Sequence, residues 1–365
     1  MSITLSDTCK VRLASHQLSG TNLKSSKEMV AWFGAVQGQE YAQTKWGLGL
    51  RLPHLSDIRI ETEISDGEIL RTHLLRPTWH FVTSDDIYWL LKLTAPRVNA
   101  ANAYMYKKLE LDTAIFNRSN KILSKLLQGH KQLTRDEIND EFKKNKIEAQ
   151  GHRLSYIMMR SELDGIICSG ARRGNQFTYS LLEERLNKRK AFNKEEALAE
   201  LAKRYFRSRG PATVKDFSTW SGLPLTECRQ GIELCKSDFE KATLEDNEYY
   251  FSSQDTLAQN SLTKIFLLPV YDEFIMGYKD RSAILKFKNG LKPSPSFHFD
   301  CMIIYNGQII GTWKRIIGKK QIDLQYNFFK PLTHRQKKEF ENSMNRLGQF
   351  NNLIVNADKT GTTNR

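Results

Sequence analysis

The sequence predicts an α+β chain: three tandem units, each of helices closed by a strand pair, followed by a C-terminal all-β domain. Three observations carry this. Stretches at about 8–82, 117–182 and 194–252 each run from helical segments into two short apolar strands that flank a turn or a polar or basic tip. Near Lys264 the helical period gives way to short apolar runs. Asn306-Gly307 then sits between two such runs, the strongest short hairpin signal. Three helices followed by a two-stranded wing is the winged-helix plan, used here three times as a degenerate repeat.

In the first unit Cys9–His16 reads as a helix. Ser25 or Ser26 supplies the N-cap, with Glu28 in the first turn, for a helix through Val36. Glu40–Gly47 is a third short helix. Ile69–Leu75 and Thr78–Val82 are strands joined near Arg76-Pro77, because proline cannot donate to a ladder and belongs at a turn or an edge. Residues 84–111 read as one or two connecting helices. In the second unit Asn120–Leu127 is helical. Thr134 caps the next helix, with Glu137 completing a capping box. His152–Leu163 is the third helix, and 165–168 and 177–179 are strands around a tip carrying Arg172 and Arg173. In the third unit a helix over Lys194–Phe206 is broken at Gly210-Pro211. Thr213 caps Val214–Gly222 with Asp216 three residues on, Leu225–Leu234 is helical, and 242–244 pairs with 248–251. Strands follow at 265–270, 283–286, 302–305, 308–314 and 321–328, then a closing helix over His334–Leu347. The domains so defined are 1–112, 113–186, 191–258 and 259–355, with a linker at 187–190 and a frayed polar tail at 356–365.

Composition narrows the function. The 365 residues exceed one small core, and 40% hydrophobic residues suffice to pack several. Lys plus Arg number 55 against 41 Asp plus Glu, a net charge of +14, which favours a polyanionic partner over mere solubility. No apolar run approaches the roughly 18–20 residues of a membrane span, and the polar N-terminus lacks a secretory signal. Five scattered cysteines without a C-x-x-C pair predict reduced thiols, hence a cytoplasmic protein, and no zinc or iron–sulfur site. Phosphate-binding loops, dinucleotide fingerprints, zinc-protease motifs and nucleophile elbows are missing from the sequence. No metal or cofactor is expected.

The informative cluster is Gln37-Gly38-Gln39, where the second helix meets the third. On an extended backbone residues i and i+2 point to one side, so both carboxamides can converge on one small object. Each offers two donors and an acceptor, and a pair holds a water without titrating. Two ordinary polar loop residues share this spacing, so the motif needs its context.

That context is a resemblance. Gln37-Gly38-Gln39, Trp46-Gly47-Leu48 and Arg76-Pro77-Thr78-Trp79-His80-Phe81-Val82 resemble the winged-helix DNA glycosylases of the AlkZ/YcaQ type. So do Leu93 to Val98, Arg209 to Thr213, Trp220-Ser221-Gly222, Leu268-Pro269 through Asp272-Glu273, Gly277 to Arg281, and Gly311 to Arg315. The runs span the chain in order. The resemblance implies tandem winged helices held by a β domain into a C shape around DNA. It also implies catalysis by a Gln-x-Gln motif, here Gln37 and Gln39, as in the AlkZ branch. The middle position, usually apolar, is Gly38.

The resemblance further implies a monofunctional glycosylase acting on double-stranded DNA that contains N7-alkylated purines, bulky adducts and interstrand crosslinks included. It would work as a monomer and leave an abasic site. Alkylation at N7 makes the base a cationic leaving group, so the enzyme chiefly orients water at the anomeric carbon. His80 is a candidate lining residue or else a satisfied core histidine. Asp272 and Glu273 read as ion-pair partners bracing the β domain, and Trp220 and Trp313 as core. Arg172, Arg173, Arg207, Arg209, Lys279, Arg281, Lys314 and Arg315, with Arg204, Lys319 and Lys320, are candidates to track phosphates. A non-catalytic winged-helix DNA-binding protein or transcription regulator is the competing reading, which the fold alone does not separate. A nuclease is weaker, for want of a carboxylate cluster.

Overall fold

The computed structural model describes residues 4–186, 190–244, 246–252, 263–285 and 300–359. The chain opens with α1 (Leu5–Ser15) and α2 (Ser26–Phe33), the latter capped by the Ser25 hydroxyl on the Glu28 N–H. Here the first expectation fails. The second helix stops at Phe33, Gly34 turns the chain at φ 77°, and Val36–Gln37 leave as strand β1. A two-residue strand has no period to read.

Helices α3 (Tyr41–Arg51) and α4 (Asp57–Ser65) follow, then the hairpin β2 (Ile69–Leu74) and β3 (Thr78–Thr83). The sheet order is β1-β3-β2, so β1 is an edge strand on the outer side of β3. The sequence reading missed α4. Helices α5 (Ile87–Ala101) and α6 (Ala103–Lys108) make the predicted connection.

The second unit contains α7 (Thr113–Leu126), β4 (Leu133–Thr134), α8 (Arg135–Lys144), α9 (His152–Leu163), β5 (Ile167–Ser169), β6 (Thr178–Leu181) and α10 (Leu182–Arg185). The capping box between Thr134 and Glu137 forms as predicted. The third has α11 (Lys194–Arg209), α12 (Val214–Ser221), α13 (Leu225–Leu234), β7 (Glu240–Leu244) and β8 (Asn247–Phe251). Thr213 and Asp216 close its capping box. Of the expected linker, residues 187–189 lie outside the described residues.

The last part contains β9 (Ile265–Leu268), α14 (Glu273–Met276), β10 (Cys301–Tyr305), β11 (Gln308–Ile317), β12 (Gln321–Phe328), α15 (His334–Asn351) and β13 (Ile354–Lys359). Its five strands are ordered β13-β12-β11-β10-β9. Asn306 and Gly307 both take positive φ, 51° and 73°, the tight hairpin turn the dipeptide predicts. Two expectations are corrected. Residues 282–284 form a 3-10 turn rather than a strand, and Lys286 lies outside the described residues. The expected frayed tail is in part a strand. Asn352, at φ 53°, turns the chain back after α15, and β13 pairs in parallel with β12. Residues 360–365 lie outside the described residues.

The first sheet is buried on both faces. Leu70, Leu74 and Val82 pack against Trp89, Leu198, Tyr205 and Trp220 of α5, α11 and α12. Val36, Ile69 and Phe81 share the other core with Ile303, Trp313 and Leu324 of the C-terminal sheet. The second unit has a core of its own around Leu123, Phe142 and Ile157. Trp220 and Trp313 are buried as expected, and their indole N–H groups donate to Glu273 and to the Leu268 carbonyl. All five cysteines are buried free thiols.

Candidate active site

Gln37 is the second residue of β1, and its backbone is gripped from several elements. The Gln37 N–H donates to Glu273 Oε1 at 2.8 Å, and its carbonyl accepts from Thr44 Oγ1 at 3.0 Å. The Gly38 N–H donates to the Trp79 carbonyl at 2.7 Å. Arg71 Nε donates to the Gly38 carbonyl at 2.9 Å, and its Nη2 to the Gln39 carbonyl at 3.4 Å. The motif backbone is therefore fixed by α14, α3, β3 and β2 at once.

The side chains differ in setting. Gln37 is 6% exposed, and its Oε1 accepts from Arg76 Nη2 at 3.1 Å. Gln39 is half-buried just past the strand, and its Oε1 accepts from the Trp79 N–H at 3.4 Å. The two carboxamides are held by Arg76 and Trp79, not by each other. Among the described residues, neither carboxamide nitrogen has a hydrogen-bond partner. A cavity of about 10 Å³, the scale of one water, touches Gln37, Thr44, Arg51, Asp272 and Glu273.

His80 sits directly across from Gln37, and Thr72 completes the row on β2. His80 is fully buried. Burial, and then the nearby Arg76 charge, push its pKa well below the usual imidazole value, so the ring is neutral at pH 7. Nδ1 lies 2.9 Å from the Thr78 carbonyl. In a neutral ring that nitrogen carries the proton, and Nε2 keeps its lone pair. Nε2, Thr72 Oγ1, Thr78 Oγ1 and Arg76 Nε are buried polar atoms without hydrogen-bond partners among the described residues. Such atoms are uncommon in native interiors and each calls for an explanation.

Glu273 and Asp272 are the ion-pair partners the sequence suggested. Arg51 forks onto Asp272 through two 2.8 Å bonds. Glu273 Oε2 accepts from Arg209 Nη2 at 2.6 Å and Nε at 3.1 Å. This overturns the phosphate-tracking expectation for Arg209, which is 0% exposed and committed to Glu273 and to the Phe33 and Ala35 carbonyls. Arg204 is likewise buried against Asp86, 2.6 Å away. A basic residue near the end of an amphipathic helix looks solvent-facing in sequence until its tertiary partner is seen.

The remaining cations divide. Arg172 lies over the rings of Tyr41 and Phe177, at 5.2 and 5.5 Å. Arg315 Nη2 donates to the Ala42 carbonyl at 3.0 Å, and burial lowers its pKa to about 10. Tyr41 and Ala42 open α3, two and three residues past Gln39, so these two cations contact the start of the helix that follows the motif. Lys314 is exposed beside Arg315. Arg173 is exposed and bonds Glu137 and the Gln132 carbonyl. Arg207 stacks over Trp32 at 4.5 Å. The Lys279 N–H bonds Asp216, and Arg281 Nε bonds the Ile275 carbonyl in α14.

Sequence reasoning missed Arg71, Arg76 and Trp79. Arg71 lies between the rings of Trp79 and Phe177, at 4.2 and 4.7 Å, while clamping the motif carbonyls. The available signal was an arginine inside a strand, between Leu70 and Leu74, a residue rarely buried without a dedicated partner.

Among the described residues no cluster of three or more His, Cys, Asp or Glu side chains is arranged to hold a metal ion, and no helix is long and apolar enough to cross a membrane.

Comparisons with known proteins agree on one family. A family profile described as "DNA glycosylase AlkZ-like" matches residues 30–350. An "Interstrand DNA cross-link repair glycosylase" of Streptomyces sahachiroi is 22% identical over 316 residues, covering 80% of this chain and 82% of that protein. The solved structure of "Streptomyces sahachiroi DNA glycosylase AlkZ" superposes with a TM-score of 0.79 at 17% identity, covering 99% of this chain and 100% of that one. At that identity the structural likeness speaks for the fold, mixed α+β with a strand-rich C-terminal sheet.

Proposed function

The chain belongs to the AlkZ-like DNA glycosylase family, an enzyme family, and from that premise we propose that it hydrolyses the N-glycosidic bond of N7-alkylated purines in duplex DNA. Bulky adducts and interstrand crosslinks fall within this reading, supported by the name of the Streptomyces relative. The observation that carries it is the setting of Gln37: clamped backbone, carboxamide on Arg76, and a neutral His80 directly opposite.

The chemistry is hydrolysis without a cofactor. The C1′–N9 bond breaks, and its electron pair enters the cationic imidazolium ring of the base, which leaves neutral. A water oxygen bonds C1′ and releases a proton to solvent, leaving an abasic sugar. Glutamine does not titrate at pH 7, so Gln37 and Gln39 hold and aim the water. His80 lines the site as an uncharged group, which avoids repelling the oxocarbenium-like sugar.

The rest of the reading follows the same family. Residues 1–112, 113–186 and 191–258 act as three winged-helix units, and 259–355 as the β domain that holds them in a C shape around DNA. The protein works as a cytoplasmic monomer. Arg172, Arg173, Lys314 and Arg315 contact phosphates, with Arg207, Lys279 and Arg281 as outer contacts.

The test uses two labelled duplexes, one with a single N7-methylguanine and one with a crosslink joining two guanine N7 atoms. Alkali reveals abasic sites. Wild type should release base from at least one. Gln37→Ala and Gln39→Ala should each slow single-turnover excision by about 100-fold, the scale of lost positioning, while binding duplex normally. The proposal fails if wild type binds both duplexes and releases base from neither, or if both variants cut at the wild-type rate.

A further inference from the structure

Gln37 occupies an unusual place in its sheet. Its N–H and its carbonyl both turn away from β3, the neighbouring strand, and go to Glu273 and Thr44. Among the described residues no strand covers the outer edge of β1. A buried pair from two distant segments stands there instead. Arg209, at the end of α11, donates to the carbonyls of Phe33 and Ala35 at 2.9 and 3.1 Å. Glu273, at the start of α14, accepts from the N–H of Gln37. Phe33 ends α2, Ala35 follows the Gly34 turn and Gln37 lies in β1, so the guanidinium and the carboxylate grip the chain from the helix end into the strand. Holding register matters here, since a one-residue slip turns Gln37 to the opposite face.

The carboxylate divides its work. Oε1 serves Gln37 at 2.8 Å, while Oε2 takes Arg209 Nη2, Arg209 Nε and the Trp220 indole at 2.6, 3.1 and 2.9 Å. Both members of the pair are buried, Glu273 at 2% and Arg209 at 0% exposed. The Oε2 contacts tie α14 to α11 and α12. The Oε1 bond goes to the Gln37 backbone instead, and as a charge-assisted bond it is about twice as strong as a neutral one. We propose that Glu273, neutralised by Arg209, is a positioning residue that sets Gln37 for catalysis. This rests on the reading of Gln37 as a catalytic residue.

Two substitutions separate positioning from bracing. In Glu273→Gln, the orientation that keeps the oxygen toward Arg209 and Trp220 preserves three bonds and turns the amide N–H₂ against the Gln37 N–H. Trp220→Phe does the reverse, removing one bracing bond and leaving the Gln37 bond intact. Single-turnover excision is measured with enzyme in excess, on whichever of the N7-methylguanine or crosslinked duplexes wild type cuts. Binding to undamaged duplex and thermal stability are measured beside it, with Gln37→Ala as reference. Expected is a loss of about 10- to 100-fold in rate for Glu273→Gln, with duplex affinity within about twofold of wild type. Trp220→Phe should lower the melting temperature yet keep its rate within about twofold. Should Glu273→Gln not fold, Glu273→Asp serves, since it keeps the charge for Arg209 and draws the carboxylate back from Gln37; the same rate loss is expected. A wild-type rate in the Glu273 variant, with Gln37→Ala impaired, overturns the inference and leaves a brace. Equal rate losses in Trp220→Phe and the Glu273 variant also overturn it. A wild-type rate in Gln37→Ala sinks the catalytic reading itself, and inactivity of wild type on both duplexes sinks the proposed function.

Discussion

Gln37 and His80 are direct cross-strand partners on β1 and β3, and both face the core formed with α11 and α12. One is a carboxamide that never titrates, and the other an imidazole that burial and Arg76 hold neutral. The row they form with Thr72 therefore carries no net charge at neutral pH, although Arg76 reaches Gln37. In the proposed reaction a row of this kind orients without protonating, which suits a leaving group that already bears its charge.

The same burial predicts a pH dependence of stability. His80 and His16 are both fully buried with pKa values well below 6.5, chiefly through desolvation. Unfolded, each titrates near 6.5. Between its folded pKa and 6.5 each histidine binds more protons unfolded than folded, so acidification favours the unfolded chain. Stability should be insensitive to these groups above about pH 7. Below about pH 6.5 each should remove up to about 1.4 kcal/mol per pH unit, until its folded pKa is reached. Urea unfolding from pH 7.5 to 5.5 reads the slope. His80→Asn should shallow it by one histidine's share, and an unchanged slope would show that His80 does not stay neutral in the folded protein.

Gly38 predicts a steric effect at the motif centre. A Cβ added there would meet Phe81 Cδ1 at 3.0 Å and the β3 backbone, His80 C and Phe81 N, at 3.2 Å. Backbone in a central strand cannot yield as a side-chain tip can. Gly38→Ala should push β1 outward by a few tenths of an ångström, against Glu273 and Thr44. The expected cost is about 1–3 kcal/mol, typical of overpacking, with a fall in excision rate larger than the fall in duplex affinity. Denaturant unfolding and single-turnover kinetics on one preparation check both. A variant as stable and as fast as wild type would show that β1 has slack this geometry denies it.

Much of this was legible in the sequence, and the failures have physical causes. Thr134 with Glu137, Thr213 with Asp216, and Asn306-Gly307 were readable because caps and tight turns are local chemistry. Helices α9 and α13 were readable because their apolar period is long enough to count. β1 was not, because two residues have no period and its pairing partner lies more than 40 residues away. β13 failed similarly, since its polar sequence is held by a parallel partner. At the site, Gln37, Gln39 and His80 were singled out from sequence, but their clamps were not. Glu273, Arg209 and Arg71 grip the motif region through contacts spanning 32 to 236 positions, which no local pattern encodes.

The basic residues predict two classes of behaviour in salt. Each Lys or Arg that neutralises a phosphate releases a counterion, so its removal should lower the slope of log K against log salt by about 0.9. In the proposed DNA complex such contacts come from Arg172, near the start of α3, and exposed Lys314. Arg172→Ala and Lys314→Ala should each weaken binding more at 50 mM than at 200 mM salt, whether or not the duplex is damaged. Arg209 should behave oppositely. It is wholly buried and paired with Glu273, so Arg209→Met removes no phosphate contact and strands a carboxylate. Its expected signature is a stability loss of about 3–5 kcal/mol, with the salt slope of the remaining folded protein unchanged. Fluorescence anisotropy over a salt series, beside a denaturation curve for each variant, separates the classes. A reduced slope for Arg209→Met would place that side chain on the DNA and contradict its burial. Unchanged slopes for both Arg172→Ala and Lys314→Ala would move the phosphate path away from the face that carries Gln39.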